Sequence, residues 1–401
     1  SIFTFTNAFD MDKYLANFVS SDFVIANAKY FNSEYSARKE DLQESHLTES
    51  FIEACEEQEG FEKGGRIYAA TDQVGVKISD YKIPKNMPVN ENGELCWMWN
   101  GEKIPVTKLN EENYQTMYYG VDDFLFEKME VYEGEKDLDV IKEKLATGNY
   151  LIYAVSTDDN GMVRKEDMVH HAGDKVTLSF PNGEEREVEI LSVIKENYYG
   201  IFPYYTTAEV FRKDLSEDYL MSYSFDVRDD REEAIQQFVK NYSEKTEPTM
   251  NYESKLKWSN EFESLKGMFT IIGCFLTFVV AVIGILNFIN AILTSIVTRL
   301  RELAMLESIG MTKKQIIKML TLEGIYYAGF TMISSVLIGM LMSVTILRVL
   351  TSQIWFMKYQ FVIWPMLVTF PFLLVLGWLV PKAAYHFQGK KSMIEQLKNA
   401  D

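Results

Sequence analysis

Residues 268–297 read MFTIIGCFLTFVVAVIGILNFINAILTSIV, thirty consecutive positions without a charge. At about 1.5 Å of rise per residue, that is enough α-helix to cross a hydrocarbon core of about 30 Å. Lipid offers no partner to backbone N–H and C=O groups, so a lone spanning segment must be helical. A second uncharged run occupies residues 324–347 and a third residues 360–381, the latter interrupted by Trp364, Pro365, Pro371 and Pro381. Three such runs in succession would need a far larger surrounding domain if they were core helices of a soluble protein, so they are read as membrane spans. The prolines predict a kink in the third.

Charge is unevenly shared. Residues 267–401 hold 11 Lys and Arg against 5 Asp and Glu; the chain totals are 40 and 58, which leaves 29 against 53 in residues 1–266, a net of −24 against +6. A part so acidic repels phosphate, which excludes nucleic acid as its partner. Arg299, Arg301, Lys313, Lys314 and Lys318 lie between the first two runs and Lys382, Lys390, Lys391 and Lys398 after the third, whereas the connection between runs two and three offers Arg348 and Lys358. By the positive-inside rule, the five-charge loop and the C-terminus are expected in the cytoplasm and the acidic part outside. Trp355, Phe356, Tyr359, Phe361 and Trp364 then fall at the outer interface, where amphipathic rings collect. Nothing at Ser1–Ile2–Phe3–Thr4–Phe5–Thr6 reads as a signal peptide, so the simplest expectation is that the sequence begins after an export or membrane segment.

Within the first run Asn287, Ala291 and Ser295 recur every four residues, as do Ser335, Gly339 and Ser343 in the second. Small and polar residues at that spacing let helices approach and hydrogen-bond in lipid. Asn287 and Asn290 lining a solute path is the other reading, disfavoured because no Asp, Glu, Lys or Arg lies in any run.

The first 266 residues alternate strand and helix patterns. Strands are expected at residues 22–26 and 65–70, and a helix at 48–58 opening on a capping pattern at Thr48. Residues 129–132, 138–145 and 150–154 read as strand, helix, strand; 173–178 and 187–193 as a hairpin around Pro181–Asn182–Gly183. A strand at 222–227 and a helix at 231–242 follow. Helical character from Tyr252 to Leu265 runs into the first span, a stalk of about 21 Å if continuous. The apolar island Leu95–Cys96–Trp97–Met98–Trp99 reads as a hairpin packing its aromatics rather than as a ligand patch.

Catalytic groups do not converge. No His-Glu-x-x-His, Gly-x-Ser-x-Gly or phosphate loop occurs; residues 60–67 lack the Lys and the Ser or Thr that hold phosphate and magnesium. His170 and His171 are read as a solvated pair rather than a metal site. Cys55, Cys96 and Cys274 form no framework, and no Cys-x-x-Cys supports zinc or redox chemistry. Cys55 pairing with Cys96 is the minor alternative, and Cys274 reads as a small packing residue. Neither a cofactor nor a metal is expected.

The loop Val297–Thr298–Arg299–Leu300–Arg301–Glu302–Leu303–Ala304–Met305–Leu306–Glu307–Ser308–Ile309–Gly310–Met311–Thr312–Lys313–Lys314–Gln315–Ile316 reads as two helical pieces broken at Gly310, with Thr312 as N-cap and Gln315 closing a capping box. Here the sequence resembles the FtsX-like, MacB-type permeases of ABC transporters, in which an Arg-Glu-x-x-x-Leu-x-x-Ile-Gly-Met stretch is the coupling region that touches the ATPase. Glu323–Gly324, the closing residues Ser392 to Leu397, and Gly173–Asp174–Lys175–Val176 with the strand ending at Val193 carry the likeness further. It is looser between about 75 and 125.

That resemblance implies an α+β extracellular domain over residues 1–251, like the MacB periplasmic core with an inserted subdomain at 75–125. A stalk helix at 252–267 leads to transmembrane helices at 268–298, 323–348 and 360–381, a cytoplasmic coupling loop at 299–322, an outer loop at 349–359 and a cytoplasmic tail at 382–401. It implies a noncatalytic permease subunit in a bacterial cell membrane, with Arg301, Glu302, Leu303, Met305, Leu306, Ile309, Gly310 and Met311 contacting the ATPase. The other implied partners are membrane lipids and a second permease copy or a homologous half. Family members place a membrane helix before this domain. The outer loop and middle region resemble permeases of Gram-positive bacteria more than an outer-membrane-spanning pump. The rival is a membrane-anchored binding or sensor module, for which a capped basic loop has no use.

Overall fold

In the computed structural model the described residues are all except 1, 19, 33–34, 36, 45, 81, 83–86, 100–101, 159–160, 167, 197–202, 218 and 389–401. They form two units, residues 14–261 and residues 2–13 with 262–388.

In the first unit the strands are β1 (Phe23–Asn27), β2 (Phe61–Ala70), β3 (Gly75–Lys77), β4 (Cys96–Trp99), β5 (Glu102–Pro105), β6 (Asn113–Gln115), β7 (Met117–Val121), β8 (Glu130–Gly134), β9 (Tyr150–Ser156), β10 (Lys175–Ser179), β11 (Glu185–Glu196), β12 (Pro203–Thr207), β13 (Leu220–Val227) and β14 (Met250–Ser254). All but β4 and β5 belong to one sheet, ordered β14-β1-β13-β2-β7-β12-β9-β11-β10-β3-β6, with β8 also on β11. β9 with β11 and β7 with β12 are parallel and the other pairings antiparallel. The expected strand-helix-strand is present as β8, the helix Leu138–Ala146 and β9, but β11 lies between the two strands. The expected hairpin is β10 and β11, whose turn places Gly183 at φ +85°, a left-handed conformation open to glycine at little cost.

Continuous apolar runs make the centre of this sheet. Leu151 to Val155 of β9 are all buried, which requires cover on both faces. Phe23 of β1 and Phe225 of β13 are direct cross-strand partners with rings stacked at 5.1 Å, a contact adding about 1 kcal/mol beyond its burial. The helix Glu232–Lys245 buries Ile235 and Val239, one turn apart on the same face.

Several expectations are corrected. Within 75–125, β7 is a buried strand of the main sheet, and β3 and β6 extend that sheet; the separate piece is the hairpin β4–β5. Of the island, the backbone is that hairpin, while the side chains of residues 97–99 fall outside the description. Thr48 stands at the N-cap of the helix Glu49–Glu56, but its hydroxyl is hydrogen-bonded to Glu247 instead of capping. The histidine pair is split: His171 is exposed and meets Glu133 at 3.0 Å, whereas His170 is 1% exposed and shares a hydrogen bond with the Tyr204 hydroxyl at 3.1 Å. Successive side chains point apart, so one is wet and one is core. Cys55 and Cys96 are free and buried; Cys274 is exposed on its helix, not packed.

The stalk starts later than its periodicity suggests, because residues 252–254 finish β14. The edge strand then turns directly into the helix Lys255–Thr298. Ser254 Oγ accepts from the Lys257 N–H at 3.1 Å and donates to Gln236 at 2.5 Å, while the Lys255 N–H donates to the Asp22 carbonyl at 2.8 Å. Orphan donors of the first helical turn are thereby satisfied from β14 and the chain beside β1.

In the second unit three helices are long and apolar enough to cross a membrane, lying in Lys255–Thr298, Lys313–Ser352 and Leu367–His386. The second carries a π-helical turn at Ser343–Leu347, and Pro371 and Pro381 lie inside the third. Most of their apolar side chains are exposed, as lipid-facing helices require. Residues 2–13 belong here rather than to the sheet domain. Phe3 meets Trp364 edge-on at 5.0 Å, Phe5 meets Phe269, and Phe9 packs on Phe262, Phe269 and Phe356. The Asp10 N–H donates to the Phe356 carbonyl and the Lys358 N–H to that of Ala8.

Candidate functional site: the capped loop

Between the first two long helices the chain makes a short helix, Leu300–Ser308, and a turn that leaves few backbone groups unsatisfied. The Gly310 N–H donates to the Glu307 carbonyl at 3.1 Å and the Met311 N–H to that of Leu306 at 3.0 Å. With Gly310 at φ +104°, these two bonds define a Schellman C-cap. Met311 and Leu306, its expected hydrophobic pair, both pack against the bundle core. The next residue starts a new helix. Thr312 Oγ1 accepts from the Gln315 N–H at 3.4 Å, and Gln315 Oε1 accepts from the Thr312 N–H at 2.8 Å, completing the capping box.

Side chains of the short helix divide by face. Leu303, 4% exposed, joins Ile292, Ile296, Ile316, Leu320, Val380 and Ala384 in one apolar cluster, with Leu306 beside it. Met305 and Ile309 point away, 60% and 81% exposed. Arg301 is exposed, Glu302 pairs with Arg299 at 3.3 Å, and Met311 is half-buried. Arg299 also reaches Glu323 on the second long helix at 2.6 Å, a link that tethers the start of the loop. At 34% and 39% side-chain exposure the pair is worth at most about 1 kcal/mol after screening. A mostly apolar groove of about 400 Å³ lies along the same helix, lined by Gln315, Lys318, Met319, Leu322, Glu323 and Tyr326.

The small-residue stripes are placed as follows. Asn287 and Ala291 are exposed and Ser295 is half-buried; Ser335 is exposed and Gly339 half-buried; Ser343 is buried, 3.0 Å from the Tyr359 hydroxyl. Sequence reasoning missed a close approach between the second and third of the long helices. At Gly324 a Cβ would lie 2.1 Å from the Gly377 carbonyl oxygen, and at Gly377 one would lie 2.6 Å from that of Gly324. The available signal was a glycine within each of the second and third apolar runs. Missed too was the Arg299–Glu323 pair, whose signal is a lone acid at the head of an apolar run.

Fold and loop together define a membrane protein whose α+β domain leads by its last strand into the first of three helices long and apolar enough to cross a membrane. Residues 274–390 match the family described as FtsX-like permease C-terminal, so the FtsX-like resemblance is borne out over that stretch, which is an FtsX-like permease domain. No curated protein matches the chain. Among solved structures, it is similar to the periplasmic region of MacB from Actinobacillus actinomycetemcomitans, with 11% identity over 63% of this chain and 98% of that one, at a TM-score of 0.34. It is also similar to the extracellular domain of the noncanonic ABC-type transporter YknZ from Gram-positive bacteria, with 12% identity over 58% and 100% and a TM-score of 0.30. A domain of a putative permease protein from Porphyromonas gingivalis gives 10% identity over 58% and 88%, with a TM-score of 0.22.

Proposed function

We propose that this chain is the membrane subunit of an ABC transporter, passing the motion of a separate cytoplasmic ATPase to its α+β domain. The observation that carries the reading is the doubly capped loop of an FtsX-like permease domain, presenting Met305 and Ile309 outward while Leu303 and Leu306 hold it to the bundle. Two exposed apolar side chains on a braced helix suit docking to a protein partner. ATP binding and hydrolysis in the partner would move the loop and first span, and the stalk would transmit that movement; no ion or proton relay is needed. The action is export or extraction of a peptide, lipid or other substrate at the outer surface, without catalysis by this chain.

Basic residues flanking the loop support a cytoplasmic loop and tail and an extracellular acidic domain in a bacterial cell membrane. Asn287 and Asn290 are exposed amides midway along an apolar helix, costly in hydrocarbon, which supports a second permease copy or homologous half beside the first span. Lipids cover the rest.

The test is copurification of the partner ATPase with the full chain. Met305→Glu with Ile309→Glu should lower ATPase recovery at least about ten-fold, the order expected for losing two buried anchors, with the chain still inserted. Undiminished recovery sinks the proposal.

A further inference from the structure

The α+β domain carries a polar cavity of about 660 Å³, away from the loop in sequence and lined by side chains of its own unit. Its charges are mostly spoken for. Glu49 takes a two-point contact from Arg66, at 2.7 and 3.2 Å; Glu209 pairs with Lys213 at 2.7 Å, and Glu217 with Lys39 at 2.5 Å. Two groups remain. Arg212 lies over the ring of Tyr68 at 5.9 Å and makes no ion pair among the described residues. Asp122 accepts the Arg66 backbone N–H at 2.8 Å, and no side-chain cation comes within ion-pair distance of it among those residues. Burial pushes its carboxyl above the ordinary value, against the weaker opposite pull of Arg66 and Arg212 nearby.

A cavity with one guanidinium and one carboxyl outside any direct ion pair among the described residues is matched by a ligand carrying one of each opposite charge. We propose that this cavity binds a short peptide with free termini, its carboxylate on Arg212 and its ammonium on Asp122. A guanidinium offers a planar fork that fits a carboxylate with two parallel hydrogen bonds. The Tyr68 ring beneath Arg212 restrains that fork, lowering the ordering cost of binding. The cavity is within the range of about 300–1,000 Å³ usual for small-ligand sites, with room beyond a single amino acid. Net charge decides between ligand classes. A simple anion is repelled by a domain this acidic, whereas a zwitterion carries no net charge to repel. Nothing in this inference depends on coupling to an ATPase.

The probe is tri-L-alanine, titrated by equilibrium dialysis against the full chain in detergent with no ATPase present. Saturable binding is expected, weakened at least about ten-fold by C-terminal amidation or N-acetylation, the scale of losing one charge-assisted pair. Arg212→Gln should weaken tri-alanine as much as amidation does and leave the amide unaffected further; Asp122→Asn should do the same against the N-acetyl form. Arg212 is exposed, so its variant keeps the fold, and an unchanged unfolding transition checks this. No saturable binding, binding indifferent to both variants, or L-alanine binding as tightly as the tripeptide would each overturn the proposal.

Discussion

His170 shows what one residue's surroundings do to its chemistry. Its imidazole is buried between the strands, Nε2 against the Tyr204 hydroxyl and Nδ1 3.9 Å from Asp174. Burial, with a smaller contribution from Lys82, lowers its pKa from 6.5 to about 4. The folded chain therefore keeps a neutral ring where the unfolded chain would take a proton. Stability from this site is full above about pH 6.5 and drains away as pH falls toward 4, by roughly 3 kcal/mol in all. Amide exchange of β9, corrected for intrinsic rates, should quicken between pH 7 and 5 in the full chain, and His170→Gln should flatten that response. Equal pH responses in the two proteins would remove His170 as the cause. The sequence showed two adjacent histidines and no hint of which was buried, because burial came from Tyr153 and Tyr204, on strands separated from it in sequence.

At the scale of elements, what repeats locally was legible and what depends on distant partners was not. The capping box at Thr312, the hairpin turn at Gly183 and the long apolar runs each rest on a few neighbouring residues. β7 and β12 were not read from sequence. Met117 to Val121 are all buried, so no polar alternation marks their period, and Gly120 is there because a Cβ would strike the Phe211 side chain at 2.3 Å. Residues 2–13 were missed likewise, since their aromatics are explained only by Phe262, Phe269, Phe356 and Trp364. Most consequential is the contact of Gly324 with Gly377, where the second and third spans touch backbone to backbone. Gly377→Leu should force them apart at a cost of about 1–3 kcal/mol or more, read as a lower thermal midpoint in detergent, while Gly329→Leu, at a site with open space, should not. Equal midpoints would show that this contact does not hold the bundle.

For the whole molecule, the proposed orientation rests on where Lys and Arg lie, five between the first and second apolar runs against two between the second and third. A cysteine replacing Ser308 should react with an impermeant maleimide only after the cell is opened, and one replacing Asp229 should react in intact cells; the reverse pattern would invert the proposed orientation. The back-to-back caps at Gly310 and Thr312 bear on this arrangement in another way. An α-helix advances about 100° per residue, and with Met311 alone between the two capping positions the turn has no slack in which to absorb an insertion. With its start so fixed, one residue added to the helix between Gln315 and Glu323 would rotate everything beyond it by more than a quarter turn, carrying Gly324 off Gly377 and Glu323 away from Arg299. The turn thus works as an angular index, timing the faces of a long helix from its first residue, and changes of length in this stretch should be far rarer among working variants than changes of side chain.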